Sequence, residues 1–359
     1  MIKREKSGMC DPGGPPGCDE RLVIAYKPTR QVATGPYDWL MAKRTRARLN
    51  PEFDAPLVWV NGRFASAEVF GEWFDRARTS FPAGTTVYFI FGDQSKFEAH
   101  RCEGSFNFTK EIAFTHVKDE MYRQARKASR KLRGRAQRLD IKYSVEWKLG
   151  SGGTETSLDS VTRSAGGLVH AFGEPVWGTQ MFAVNGDDWL IITRLPPNEA
   201  GFHQAMTSIG FESSFASTTD ITEVTFCQTA PYQTSSGTVW GPLIGRVLSR
   251  LPWSIETSKE DPRGVALGMR VACAHIPFLS DYLRRIADLS TGVRAIEYRY
   301  HLSAERSHSV DSLSSSFVLH RYGLTDDDLR QFRALLDSAP CLRTVLNWPH
   351  LERIAAIDA

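Results

Sequence analysis

Long apolar runs are what this sequence lacks most plainly. Nowhere do about 18 uncharged apolar residues follow one another, so a membrane-spanning helix is excluded on length alone. Cysteine is sparse and scattered. Cys10, Cys18, Cys102, Cys227, Cys273 and Cys341 form no Cys-x-x-Cys pair, which argues against a zinc site or a disulfide framework and favours a reducing compartment. The nine histidines show no metal-ligand spacing, and no internal repeat is visible. The opening "MIKREKSGMCDPGGPPGC" is basic but has no apolar core of a signal peptide, and residues 1–20 read as a lead-in without a fold of its own. A formal net charge of +3 is too small to identify a partner.

What is present is the composition of a globular chain: 359 residues, 42% hydrophobic and 24% charged, with room for a sizeable core and two or three domain-sized units. "SAEVFGEWFDRARTSF" spaces Val69, Phe70 and Trp73 on one helical face. "GTTVYFIFGD" is a β-branched and aromatic run that predicts a buried strand ending at Asp93. Upstream, "KPTRQVATGPYDW" reads as a turn flanked by two basic clusters, the second being "AKRTRARLN". Residues 104–140 read as mainly helical and basic, and "IKYSVEWKLGSGGTETSLDSVTRSAGGLV" as a strand, a glycine-rich loop and a helix. "EAGFHQAMTSIGF" predicts a helix closing at Gly210, "TEVTFCQTAPY" a strand pair, and the chain from about 235 onward is expected to be mostly helical.

The stretch "MFAVNGDDWLIITR" (181–194) carries the chemistry. Phe182, Val184, Leu190, Ile191 and Ile192 suit two short antiparallel strands, with Asn185 and Gly186 supplying the turn and both aspartates at the tip. Two adjacent carboxylates repel each other unless a hard cation neutralises them, as Mg²⁺ does when it takes carboxylate and phosphate oxygens together. Asp93, ending another strand, could join them and complete a two-metal site for displacement at phosphorus.

With these residues in view, the chain resembles the viral RNA-dependent RNA polymerases, most closely the tombusvirus-like and nodavirus-like positive-strand group. "DQSKFEAH" (93–100) resembles motif A, "SGGTETSLDS" (151–160) motif B, "GDD" (186–188) motif C and "EVTFCQTAPY" (223–232) motif E, with a looser likeness of "KPTRQVATGPYDW" to the end of motif F. The resemblance implies an α/β (α+β) right-hand polymerase. A lead-in and partial fingers would occupy 1–84. A palm with an antiparallel sheet would span 85–225, interrupted by a basic fingers insertion at about 104–142, and a helical thumb would follow at 226–359.

It also implies residue roles. Asp93 and Asp187 would be the principal ligands of two Mg²⁺ or Mn²⁺ ions, and Asp188 a secondary one. Ser151, Gly152 and Thr156 would contact template and incoming nucleotide, while Lys27 and Arg30, with the "KRTRAR" cluster, would neutralise the triphosphate. Phe226, Cys227 and Gln228 would form the turn supporting the primer end. The implied partners are an RNA template and primer and nucleoside triphosphates. The implied setting is a replication complex in the host cytoplasm, often on membranes.

Three departures from the family pattern stand out. Glu98 occupies the position of the second motif A aspartate, and Ser160, preceded by Asp159, that of the motif B asparagine; the pair is expected at the ribose 2′-hydroxyl. Residues 195–222 contain no Lys or Arg to act as motif D general acid, leaving His203 as the titratable donor, a residue type whose ordinary pKa of about 6.5 suits the task. Only about twenty residues precede the motif F-like segment, so the remaining fingers are expected on an upstream polymerase portion or another viral replication protein. A non-catalytic or split RNA-binding subunit is the alternative reading.

Other features have simpler explanations or stay open. Arg123, Lys127, Arg130 and Lys131 are spaced near one helical face, equally suited to a solvated exterior and to an RNA-backbone groove. Phe226 and Trp189 read as core. In "LTDDDLRQF" Thr325 and Asp328 form a helix-capping signature, which accounts for the acids without a metal.

Overall fold

The computed structural model describes residues 2–3, 21–22, 28–50, 54–60, 66–95, 97–114, 118–128, 130–136, 141–149, 153–251, 262–290, 292–296, 308–340 and 347–358. The architecture is mixed α/β. Along the chain come β1 (Ile2–Lys3), β2 (Arg21–Leu22), α1 (Pro28–Leu49), β3 (Leu57–Trp59), α2 (Ala67–Thr79), β4 (Tyr88–Gly92) and α3 (Glu103–Thr109). A π-helical turn (Lys110–Phe114) leads to α4 (Glu120–Ala128), β5 (Lys131–Ala136), β6 (Ile141–Glu146), α5 (Thr156–Phe172), β7 (Gln180–Asn185) and β8 (Asp188–Thr193). Then follow α6 (Glu199–Ser208), β9 (Ala216–Thr218), β10 (Thr229–Thr234), β11 (Gly237–Pro242), α7 (Ile244–Arg250), α8 (Pro262–Met269), α9 (Leu279–Asp288), α10 (Ser312–Tyr322), α11 (Asp326–Ser338) and α12 (Leu351–Ile357). The chain divides into two compact units, 1–59 with 81–217, and 60–80 with 218–359.

The first unit is organised by a five-stranded sheet of order β3-β7-β8-β4-β9. β8 runs antiparallel to both of its neighbours, β4 and β7, as their apolar runs predict, but β3 lies parallel to β7, so the expected antiparallel sheet is a mixed one. The backbone of Trp59 on this edge strand is bonded on both groups by the Asn50 side chain, at 2.7 Å each, so an amide stands in for a neighbouring strand. One face of the sheet, through Phe182, Val184, Trp189 and Ile191, shares a core with Leu158 and Val161 of α5 and Phe202 of α6.

Two local expectations are corrected in this unit. "PTRQVATGPYDW" (28–39) is no turn but part of the 22-residue α1, with Pro36 inside the helix. Proline there removes the hydrogen bond to the Val32 carbonyl, and both residues lie on the exposed side, where water can take the bond's place. The basic stretch near 123–138 is not one helix either: α4 stops at Ala128, and Lys131–Ala136 pairs with Ile141–Glu146 as a hairpin. Lys131 meets Glu146 across that hairpin, 3.1 Å away, rather than sharing a helical face with Arg123 and Lys127.

The second unit opens with the hairpin β10–β11 rather than with helix alone, and it takes in α2. Ser66 caps α2 by accepting from the Val69 amide, and the helix buries Phe70, Trp73 and Phe74. Phe70 and Phe74 pack on Trp240, with ring centroids at 4.8 and 5.4 Å. The approach of α2 to β11 is so close that a Cβ on Gly71 would stand 1.8 Å from the Thr238 carbonyl oxygen, which makes glycine obligatory. The remaining helices gather around Ile244, Ile276, Leu279, Leu283, Phe317 and Phe332. Phe226 is buried against Phe70, and Cys227 and Gln228 turn the chain with φ of 51° and 61°. The cap at Thr325 and Asp328 is formed in both directions.

Candidate active site

The site begins with strand register. In β4 and β8 Gly92 lies opposite Trp189, so the next position of the ladder sets Asp93 opposite Asp188. The Gln94 amide donates to the Asp187 carbonyl at 3.1 Å, which fixes the end of β4 beside the β7–β8 turn. Asn185 pairs with Asp188, leaving Gly186 and Asp187 as the two central residues, rather than Asn185 and Gly186 as expected. Gly186 has φ of +69°, as the first central position of a type II′ hairpin requires, and this places Asp187 at the tip. Asp93 is exposed; its carboxylate accepts from the Ser214 hydroxyl at 2.6 Å, and its amide donates to the same oxygen at 2.8 Å.

Helix α5 braces both halves of this edge. The Ser164 hydroxyl donates to the Gly186 carbonyl at 2.5 Å and so holds the turn that presents Asp187. One turn earlier, Asp159 and Arg163 form a fully buried ion pair at 2.9 Å. Arg163 also donates to the Phe97 carbonyl at 3.2 Å and lies 3.9 Å above the Phe97 ring, which ties α5 to the segment following Asp93. Burial lowers the Arg163 pKa, and the neighbouring Asp159 carboxylate opposes that shift. Asp159 is therefore engaged within the protein, while Ser160 beside it is buried and Glu98 is half-buried, its carbonyl accepting from the Leu149 amide at 3.1 Å.

The start of α5 meets α1 through a second buried polar group. Arg30 pairs with Glu155 at 2.7 Å, and Arg126 approaches the same carboxylate at 3.6 Å. Asp38 accepts from Thr154 and from the Tyr122 hydroxyl, each at 2.6 Å, and burial pushes its pKa up against those bonds. Arg30, assigned to the triphosphate by resemblance, is thus held in an ion pair of the fold. Thr156 opens α5, whereas Lys27, Ser151 and Gly152 lie outside the described residues.

No protein-family model matches the chain, and no curated protein matches it.

A cleft of about 610 Å³ lies beside the strand ends, lined by His100, His203, Thr207, Phe211, Glu212 and Ser213. Its wall is joined to the β4 end: the Ser95 amide donates to the Glu212 carbonyl at 2.8 Å, and the Ser213 hydroxyl bonds the Gln94 side chain. His203 stands 3.6 Å from Glu199 on the same helix.

Among the described residues, no three His, Cys, Asp or Glu side chains stand close enough together to enclose a metal ion. The fit to a divalent cation rests on the backbone and on donor chemistry. Three carboxylates share one sheet edge, and carboxylate oxygens are the ligands hard cations take. Ser164, Ser214 and the Asp159–Arg163 pair were missed in the sequence reading. Only the last leaves a sequence signal, opposite charges spaced four apart on a helix.

Proposed function

We propose that the chain is an RNA-directed RNA polymerase of a positive-strand RNA virus, with the first unit supplying the palm of a right-hand fold and the second unit the thumb. The observation that carries the reading is the β4–β8 register, with Gln94 bonded to the Asp187 carbonyl, which sets Asp93 beside the Gly-Asp-Asp turn. Asp93, Asp187 and Asp188 would hold two Mg²⁺ or Mn²⁺ ions. Ions bound there would lower the pKa of a primer 3′-hydroxyl and neutralise the triphosphate. The protein's own part is positional: Ser164 holds the turn, Ser214 orients Asp93, and Arg163 ties α5 to the segment carrying Phe97. RNA template and primer and nucleoside triphosphates are the proposed partners, and the host cytoplasm, in a membrane-associated replication complex, the proposed setting. Among the described residues no helix is long and apolar enough to cross a membrane.

The second reading, a non-catalytic or split RNA-binding subunit, draws support from the lack of a ready-made cluster of three ligating side chains among the described residues. Incorporation of labelled ribonucleotides on a primed RNA template with Mg²⁺ or Mn²⁺ separates the two. The polymerase reading expects extension by the parent chain and a loss of about a thousandfold or more in Asp187→Ala. Extension by that variant at the parent's rate would sink it, and silence from both proteins would favour the subunit.

A further inference from the structure

Arg101 is completely enclosed, 0% exposed, yet none of its three guanidinium nitrogens has a hydrogen-bond partner among the described residues. Arginine keeps its charge in proteins and is almost never fully buried unless paired. The Phe106 ring, 4.7 Å from the guanidinium carbon, attracts that charge but offers no oxygen to its N–H groups. A second guanidinium, Arg126, lies 5.6 Å from the same ring. Burial pulls the Arg101 pKa down, with Asp159 and Glu155 opposing the shift and Arg126 and Arg163 adding to it. Both carboxylates are already engaged, Asp159 by Arg163 at 2.9 Å and Glu155 by Arg30 at 2.7 Å. Three buried guanidiniums, Arg101, Arg126 and Arg163, thus gather about two carboxylates, and Arg163 Nη2 is also buried without a partner. Asp159 Oδ1 is unfilled as well, and a water between it and Arg101 would satisfy hydrogen bonds without correcting the excess of positive charge.

We propose that a free inorganic oxyanion of the phosphate class binds at Arg101, beside Arg126 and Arg163. The planar guanidinium fork matches two oxygens of one oxyanion, which a spherical halide cannot present. Cys102, the next residue, is exposed, so the guanidinium lies one residue beneath the surface. Complete enclosure favours a free ion over a phosphate that carries a nucleoside. Bound there, the anion would join the segment after Phe97 to α5, the joint that Arg163 already braces through the Phe97 carbonyl. The site is independent of the polymerase reading.

The test is urea unfolding of the full chain in EDTA as phosphate replaces chloride at constant ionic strength, with sulfate as a second oxyanion. Anything that binds only the folded chain raises its midpoint in proportion to the logarithm of ligand concentration above Kd. The parent is expected to show that rise with phosphate and with sulfate. Arg101→Met removes an unpaired buried charge and is expected to start from a higher midpoint in chloride and to show no rise. Arg101→Lys keeps the charge without the fork and should need about tenfold more phosphate for the same rise. Adenosine monophosphate at matched concentration should leave the parent unmoved. A parent indifferent to phosphate would overturn the inference in favour of a water. An equal rise in parent and Arg101→Met would overturn it by placing the anion elsewhere, and an equal rise with adenosine monophosphate would overturn the free ion. If Arg101→Met does not fold, the parent and Arg101→Lys curves decide: superimposed curves overturn the site at Arg101, and curves displaced as stated support it.

Discussion

The two compact units bury different chemistry. Around α5 the first unit encloses charged and polar groups, the Asp159–Arg163 pair, Glu155 with Arg30, and Asp38 with Tyr122 and Thr154. The second unit encloses an apolar cluster of helices, with its main polar knot at Asp358, which accepts from the Gly245 amide, Tyr322 and Arg321. Apolar burial is non-directional and supplies stability, whereas a buried ion pair returns little net stability and instead fixes geometry. Directional groups thus gather along α5, whose Ser164 and Arg163 hold the Gly186 turn and the segment after Asp93 in place.

The sharpest way to break this contrast is to remove one member of the buried pair. Asp159→Ala leaves Arg163 buried without its carboxylate and is expected to destabilise the chain by about 3–5 kcal/mol, read from urea midpoints. Replacing both partners, Asp159→Leu with Arg163→Met, should recover most of that stability while incorporation stays depressed, because the bond to the Phe97 carbonyl is gone. If the double variant is fully active, the pair positions nothing.

A smaller effect probes the second unit. Burial, with His308 beside it, pulls the His275 pKa down to about 3. In the unfolded chain the ring titrates near its ordinary value of about 6.5, so between those values the unfolded state binds the extra proton. The stabilising contribution is complete above pH about 6.5 and is lost as pH falls toward 3, by at most about 1.4 kcal/mol per pH unit. Urea midpoints measured from pH 7 to 4 should fall, and His275→Gln should flatten the slope. A slope that is the same in parent and variant would remove His275 from the account.

Much of the site was legible in the sequence because it depends on local pattern. The strand ending at Asp93, the apolar runs flanking the two aspartates and the face of α2 all follow from period and residue type. The strand from Ile141 was legible too, as β6, but its partner β5 was not, because Lys131, Arg133 and Arg135 favour helix by composition while the alternation with Leu132, Gly134 and Ala136 spans only six residues. Pro36 hid α1 by the usual rule that proline interrupts a helix. The parallel placement of β3 is a long-range pairing that no local pattern encodes. Arg163 and Asp159 were visible as a spacing, but their burial was not, since charged residues are almost never fully enclosed.

If the β4–β8 register joins Asp93, Asp187 and Asp188 in the proposed divalent-cation site, a Mn²⁺ titration followed by electron paramagnetic resonance will show it. The parent chain is then expected to bind Mn²⁺, and Asp93→Asn and Asp187→Asn are each expected to abolish that binding with unfolding midpoints unchanged. Mn²⁺ binding that persists undiminished in both variants would contradict it.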